Sequence, residues 1–314
     1  MAAVPAAGLG RLLLRAAATR GGAGRLTLPG LRRARPLPLC LLLLLLPLAG
    51  GQMPADPNPP LPAALAALAG DASTLHGYAV WNESAPVTGW GFGPAALADR
   101  TNATAVIFWS GGLVDSRAYA PLAAAAAGDG FNATVYLLDF PTGFPDSALA
   151  AVEAVLRRPE HSAFVFAGHS MGGIMAAQAA LQASARGWLP AGAALGVAFL
   201  ASYPDPRDTA EIAGAVGNGT LAVAFVNASN DGVLNTTNLR AAVEACEDAL
   251  PTGGGGTLLS TVEGGNHRGF GSYEVVWELR PDGNATISRH EQQAQALDYL
   301  ALAGLLPGPP AATG

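Results

Sequence analysis

Short, continuous apolar runs alternate along this sequence with segments whose apolar residues have helical spacing, and this alternation constrains the fold most. The runs are residues 105–109, 135–140, 163–167, 195–201, 221–226 and 257–262, interrupted by polar residues only at Asp139 and within the last run. A short run that is apolar throughout is typical of a strand buried on both faces of a sheet. When helices separate such strands, the strands form a mostly parallel sheet between two helical layers. We therefore predict an α/β fold with a mostly parallel central sheet and helices on both faces.

The segments between these runs predict the helices. They follow Ser116 and Ser147 and cover residues 173–186, 239–250 and 289–302. The last begins with Ser288 and Glu291, which have the spacing of a capping box. Residues 75–92 predict one or two antiparallel edge strands ahead of the first parallel strand. Together these elements predict one domain over residues 71–306.

The two ends of the chain have a different character. Residues 1–51 contain Arg32, Arg33 and Arg35, an apolar run at 37–49 and small residues at its end, which is the order of a signal peptide. An uncleaved signal anchor, the only membrane contact we expect, and a two-part plastid signal leading to the plastid lumen are the alternatives. The Pro-rich residues 52–70 predict an extended linker that does not pack. Residues 307–314 predict a disordered tail.

Asn-x-Ser/Thr triplets, the acceptors of N-glycosylation, are unusually frequent. There are seven of them, at Asn82, Asn102, Asn132, Asn218, Asn227, Asn235 and Asn284. Chance would give roughly one among the asparagines of a chain with this Ser and Thr content. The excess favours the secretory pathway, with a secreted or lumenal glycoprotein as the product.

Charge and cysteine content exclude several classes of function. From Gln52 onward there are ten arginines, no lysine and 23 acidic residues, so the body repels phosphate backbones and no nucleic-acid partner is expected. Cys40 lies in the apolar run at 37–49, which leaves Cys246 alone in the body and allows no internal disulfide. Cys246 shares a helical face with apolar residues and is interpreted as a buried small hydrophobe. We expect no cofactor and no metal.

Residues 168–172 read Gly-His-Ser-Met-Gly, and their context makes this pattern specific. The predicted strand 163–167 runs directly into it and a predicted helix leaves it. A sharp turn from strand to helix needs small residues on both sides of the serine, because the backbone is crowded there. It also places the Ser170 hydroxyl at a helix N-terminus, where the helix dipole favours developing negative charge. Ser170 is therefore the candidate nucleophile.

Three segments, taken together, resemble the α/β-hydrolase superfamily. They are Phe-Trp-Ser-Gly-Gly-Leu-Val-Asp at 108–115, the turn at 168–172, and Glu-Gly-Gly-Asn-His at 263–267. The likeness covers about 200 residues and is greatest to small esterase-like members without a separate cap domain, related to dienelactone hydrolases. It implies the α/β-hydrolase fold and an acyl-enzyme mechanism with the triad in the chain order serine, acid, histidine.

One of the five histidines lies where such a triad needs its base. His267 follows the last strand on a glycine-flanked loop, from which it could reach Ser170. The others are less suitable. His76 precedes the core, His161 precedes the strand 163–167, His169 lies within the turn 168–172, which we call the elbow, and His290 begins the final helix. We predict His267 as the general base.

The acid is predicted at Asp231, in the turn 227–232 that follows the strand 221–226. The superfamily usually places its carboxylate there. Asp205 and Asp208, after the preceding strand, hold an alternative position that some members use. Glu263 is too close to His267 in sequence to turn back towards it.

Backbone N–H groups are expected to bind the oxyanion. The resemblance implies the N–H of Met171, directly after the nucleophile, and a second donor from the loop after the strand 105–109. Gly112 is the predicted second donor, with Leu113 as the reserve, because glycine allows close approach of the backbone.

The interval between residues 201 and 221 is too short to hold the lid that many lipases insert there. The site should therefore be open, which suits small soluble esters or thioesters, or accessible acyl groups on a larger molecule. The predicted function is that of a serine hydrolase acting on carboxylic esters or thioesters. An acyltransferase on the same fold and a catalytically silent extracellular binding module are the alternatives.

Overall fold

The computed structural model of the chain describes residues 57–70, 78–94, 103–128, 131, 133–250, 258–278 and 280–307. All of them belong to one compact unit, Leu43–Gly314. The predicted signal segment, most of the predicted tail, His76, Asn102 and Asn132 lie outside the described residues.

The described elements alternate as the sequence predicts. The strands are β1 Tyr78–Glu83, β2 Gly89–Pro94, β3 Ala103–Trp109, β4 Thr134–Leu138, β5 His161–His169, β6 Ala194–Leu200, β7 Ala222–Ala228 and β8 Leu258–Val262. The α-helices are α1 Pro62–Ala69, α2 Ala120–Ala127, α3 Leu149–Leu156, α4 Met171–Ala185, α5 Thr209–Gly217, α6 Thr236–Ala249 and α7 Arg289–Leu302. Two short 3₁₀ turns, Ser116–Tyr119 and His267–Phe270, complete the set.

The strands form one eight-stranded sheet in the order β1-β2-β4-β3-β5-β6-β7-β8. The pairs β1–β2 and β2–β4 are antiparallel, and every pair from β4 to β8 is parallel. The predicted mostly parallel sheet is therefore confirmed. Because the carboxyl ends of parallel strands meet at one edge, the loops after β3, β5, β6, β7 and β8 come together there.

Both faces of the sheet are buried, as the continuous apolar runs predict. In β3, Val106 and Phe108 belong to one hydrophobic cluster that also contains side chains of α2 and α7. Ile107 and Trp109 lie on the other face and are fully buried, with the Trp109 indole stacked on Phe166. Only α5 and its connections lie between β6 and β7, so no cap domain is inserted there.

The prediction of an unpacked linker is wrong for residues 57–70. Asn58 is buried, and its backbone N–H donates to Leu113 O at 2.7 Å. Its side-chain Oδ1 accepts from the N–H groups of Val276 and Trp277, each at 2.9 Å. The alanines after Pro62 then form α1, with the proline in the first turn, where it needs no N–H partner.

Helix boundaries follow local caps where the sequence supplies them. The Ser288 hydroxyl accepts from Glu291 N–H at the start of α7, which confirms the predicted cap. Asn235 caps α6 by accepting from two N–H groups, so this helix begins before the predicted residue 239.

Cys246 on α6 is buried, and burial raises the pKa of its thiol to about 11, which fits the interpretation as a small hydrophobe. None of the helices in the described ranges is long and apolar enough to cross a membrane.

Candidate active site

The turn between β5 and α4 holds Ser170 in a strained conformation. Its φ is 53° and its ψ −123°, a region that costs a non-glycine residue on the order of 1–3 kcal/mol. Neighbouring strands hold it there: Ser170 N–H donates to Leu200 O at 3.0 Å, and the Ser202 hydroxyl donates to Ser170 O at 2.5 Å. The side chain therefore stands at the N-terminus of α4.

Three glycines make this turn sterically feasible. A Cβ at Gly168 would lie 2.4 Å from the carbonyl carbon of Gly172, and a Cβ at Gly172 would lie 2.3 Å from Ser110 O. One at Gly173 would lie 2.5 Å from the hydroxyl of Ser202. Because the first two contacts are with backbone, which cannot move aside, the small residues that the pattern requires are explained by packing.

His267 and Asp231 form a buried pair. The Nδ1 atom of His267, in the 3₁₀ turn, lies 2.8 Å from Asp231 Oδ2. The Asp231 side chain is 1% exposed, and its Oδ1 accepts from the N–H groups of Val233 and Leu234, each at 2.8 Å. These bonds fix the carboxylate, so His267 is oriented through Nδ1 and its Nε2 remains available.

The alternative acids are engaged elsewhere. Asp205 accepts from the backbone N–H and the guanidinium of Arg207, and that hydrogen bond lowers the pKa of the carboxyl. Asp208 accepts from Gln178 at 3.1 Å, and Glu263 is exposed. Of the carboxylates considered from the sequence, Asp231 is the one that contacts the imidazole.

The predicted oxyanion donors differ in availability. Leu113 N–H donates to Gly143 O at 2.5 Å, so the reserve donor is already occupied. Within the described part of the chain, Gly112 N–H has no acceptor. Met171 is the first residue of α4, so its N–H has no acceptor within the helix. A Cβ at Gly112 would lie 2.7 Å from the Met171 side chain, which shows that the two residues are in contact.

His169 connects the elbow to the turns that contain His267 and Tyr119. Its Nε2 lies 2.9 Å from His267 O, and its Nδ1 lies 2.8 Å from Tyr119 OH, which accepts from Gly111 N–H at 3.0 Å. Burial lowers the pKa of His169 well below its usual value, and the adjacent His267 adds to this. The ring is therefore neutral. Because a carbonyl only accepts, Nε2 carries the proton and Tyr119 donates to Nδ1.

The same residue places His267 beside the elbow. The rings of His169 and His267 are 4.6 Å apart between centroids, and His169 directly precedes Ser170. Ser170 Oγ forms no hydrogen bond with any described residue. In hydrolytic sites, the hydrogen bond between the serine and its base often tightens only when substrate binds.

The remaining described histidines have other surroundings. His161 begins β5, with its Nε2 2.6 Å from Tyr136 OH, and His290 is exposed at the start of α7. The role of Tyr119 was not predicted. No local pattern marks a tyrosine on a neighbouring turn as the partner of His169.

Comparison with known proteins agrees with this topology. A family model described as "Alpha/beta hydrolase family" matches residues 105–294, more than half of the chain. A search of the curated proteins found no match. Among solved structures, native esterase 2 of Thermogutta terrifontis is 16% identical, with a TM-score of 0.49, over 76% of this chain and 95% of that one. Carboxyl esterase 2 of Tuber melanosporum is 13% identical, with a TM-score of 0.49, over 73% and 87%.

Proposed function

Because the chain belongs to the alpha/beta hydrolase family, we propose that it is a serine hydrolase that cleaves carboxylic esters or thioesters through an acyl-enzyme intermediate. One observation carries the proposal: the buried Asp231–His267 pair lies beside the strained elbow that presents Ser170. A serine hydroxyl is a weak nucleophile unless an oriented base accepts its proton. Such a base is the part of the arrangement that a merely structural turn would not need.

In the proposed reaction, Ser170 Oγ attacks the acyl carbon and its proton passes to His267 Nε2. Asp231 keeps the proton of the imidazole on Nδ1 and stabilises the imidazolium. The N–H groups of Met171 and Gly112 bind the oxyanion, and a donor of this kind is worth on the order of 3 kcal/mol of barrier. The imidazolium then protonates the departing alcohol or thiol, which leaves the acyl group on Ser170.

The second half of the reaction uses the same groups. His267 Nε2 removes a proton from water, the oxygen attacks the acyl carbon, and Ser170 recovers its proton as the carboxylic acid leaves. An acyltransferase differs only in that an alcohol or amine replaces water. The Asp231–His267 pair argues against the silent binding module, because such a module needs no oriented base.

The test is covalent labelling. We expect a fluorophosphonate probe to label the folded protein at Ser170 and the Ser170→Ala variant to remain unlabelled. His267→Ala should lower kcat for an activated ester by at least about 10³-fold, whereas His290→Ala, at an exposed position on the last helix, should not change it. Undiminished labelling of Ser170→Ala would contradict the proposal. Product analysis in water with an added alcohol separates hydrolysis from acyl transfer.

We also propose that the protein passes through the secretory pathway. Four of the acceptor asparagines are exposed on the described surface: Asn82, Asn218, Asn235 and Asn284. An acceptor must be reachable for a glycan to be tolerated on the folded protein, and these four positions satisfy that condition.

A further inference from the structure

A second buried carboxylate lies behind the Asp231–His267 pair. The side chain of Asp282 is 1% exposed. Its Oδ1 accepts from the backbone N–H groups of Gly232 at 3.1 Å, His267 at 3.2 Å and Gly283 at 2.8 Å. Its Oδ2 accepts from Arg268 N–H at 3.0 Å, and the Arg268 guanidinium is 3.7 Å away.

These bonds join the loop of the acid to the loop of the base. Gly232 directly follows Asp231, and the His267 N–H belongs to the base itself. One carboxylate oxygen therefore spans residues that are 35 positions apart in the chain. A carboxylate is suited to this task, because each of its oxygens can accept more than one N–H and hydrogen bonds to a charged group are stronger than neutral ones.

The segment 281–284, which we call the strap, is wedged between the two loops. A Cβ at Gly283 would lie 1.9 Å from Asn230 O, and one at Gly232 would lie 2.8 Å from Pro281 O. On one side, the Asn230 side chain donates to Asn284 O at 2.9 Å. On the other, the Asn266 side chain donates to Gly283 O at 2.8 Å. The strap thus contacts the residues that directly precede both Asp231 and His267.

We propose that Asp282 is a positioning residue, which acts through the Asp231–His267 pair by fixing the distance between their loops. This inference rests on the proposed function of that pair. Asp282 does not reach the reacting atoms, since its two oxygens are occupied by backbone N–H groups behind the base. Its effect on rate is geometric: a misplacement of about 1 Å in a catalytic group can cost on the order of 10²-fold in rate.

A double-mutant cycle separates positioning from general stability. We expect Asp282→Ala to lower kcat for an activated ester on the order of 10²-fold, with KM nearly unchanged. In an Asp231→Asn background, where the orienting carboxylate is already lost, the same change should cost only a few-fold, because residues in one network are not additive. Asp282→Asn, which keeps one acceptor oxygen, should retain more activity than Asp282→Ala.

Asp205→Ala is the matched control. The side chain of Asp205 is about as buried as that of Asp282 and also accepts from a backbone N–H and an arginine, but those groups lie in its own turn. The Asp205→Ala substitution should lower the free energy of unfolding without changing kcat. Equal losses for Asp282→Ala in both backgrounds, or a kcat as high as that of Asp205→Ala, would overturn the proposal.

A readout that needs no turnover distinguishes this proposal from the proposed function. The Nδ1 proton of His267, bonded to Asp231, should give a low-field NMR signal that His267→Ala abolishes. We expect the signal to weaken or shift in Asp282→Asn and Asp282→Ala and to stay unchanged in Asp205→Ala. If it does so in a protein that cleaves no ester, Asp282 positions the pair and the proposed function is wrong. If it is unchanged in both Asp282 variants, the positioning role is wrong whatever the activity.

Discussion

The proposed nucleophile and the proposed acid–base pair lie at the same edge of the sheet, but they are built in different ways. The elbow is made of consecutive residues, and its shape follows from the absence of three side chains at Gly168, Gly172 and Gly173. The pair Asp231–His267 comes from two separate loops, and a third segment, the strap, holds these loops through side-chain to backbone hydrogen bonds.

This difference predicts how each region fails. A Cβ at Gly168 or Gly172 meets backbone at less than 3 Å, so a substitution there either cannot be accommodated or displaces the turn as a whole. In the acid–base region a single substitution removes only part of a larger set of hydrogen bonds, and each bond is worth about 0.5–1.5 kcal/mol, or up to 3 with a charged partner. We therefore expect activity to be lost abruptly on substitution in the elbow and by degrees on substitution in the acid–base region.

The largest effect should come from breaking the acid–base region at its centre. Asp231→Asn keeps the shape of the side chain, but its amide favours the wrong tautomer of His267, so kcat should fall by up to about 10⁴-fold. Asp205→Asn and Asp208→Asn should cost little, because their carboxylates contact Arg207 and Gln178 instead. Steady-state kinetics with one activated ester checks all three variants. If Asp205→Asn or Asp208→Asn loses more activity than Asp231→Asn, the acid belongs to the loop after β6.

The elbow and the central sheet could be predicted because their causes are local. Ser170 lies in a five-residue pattern, the strands are continuous apolar runs, and Ser288 and Glu291 form a cap within four residues. On sequence alone, the small size of glycine favours Gly112 over Leu113, but the bond from Leu113 N–H to Gly143 O could not be predicted, since Gly143 is distant in sequence.

The packed N-terminal segment and the strap have long-range causes. Asn58 is buried because it pairs with Val276 and Trp277, more than 200 residues away. Asp282 lies before a glycine, which on sequence alone is typical of an exposed turn. What distinguishes it is the set of N–H groups that the fold brings to it. Hydrogen-bond partners of this kind leave no periodicity in the sequence.

An intermediate effect should come from the bond network that joins the two regions. Tyr119→Phe removes the hydroxyl between Gly111 N–H and His169 Nδ1 and leaves both without a partner, which typically costs about 1–3 kcal/mol for a buried group. Gly111 directly precedes the proposed donor Gly112, so we expect kcat to fall roughly tenfold, less than the loss of a whole oxyanion donor. KM should change little. Steady-state kinetics and urea unfolding measure the two consequences separately.

Tyr299→Phe is the control for this variant. It also removes one tyrosine hydroxyl, which here donates to the backbone carbonyl of Thr261 at 3.2 Å, on a strand and not in the loops of the site. Both variants should lose stability, and only Tyr119→Phe should lose rate. Equal kcat values for the two would mean that the Tyr119–His169 network supports the fold and leaves the geometry of the site unchanged.

The smallest effect on activity is expected from removing glycan acceptors, and its readout is the electrophoretic mobility of the protein. Asn82 is exposed on the edge strand β1, whereas Asn227 lies near the end of β7, where it leads into the loop of Asp231, and its amide oxygen is buried without a partner among the described residues. In a eukaryotic host we expect endoglycosidase treatment to increase the electrophoretic mobility of the protein. Asn82→Gln should remove one step of that shift, because its acceptor is accessible on the folded surface. Asn227→Gln should leave the shift unchanged, and kcat should stay at the wild-type value in Asn82→Gln.

A protein whose mobility does not respond to the enzyme at all would contradict the secretory route without affecting the proposed chemistry. A step lost in Asn227→Gln would instead show that β7 is modified before it is buried, and that the acid–base region is completed late in folding.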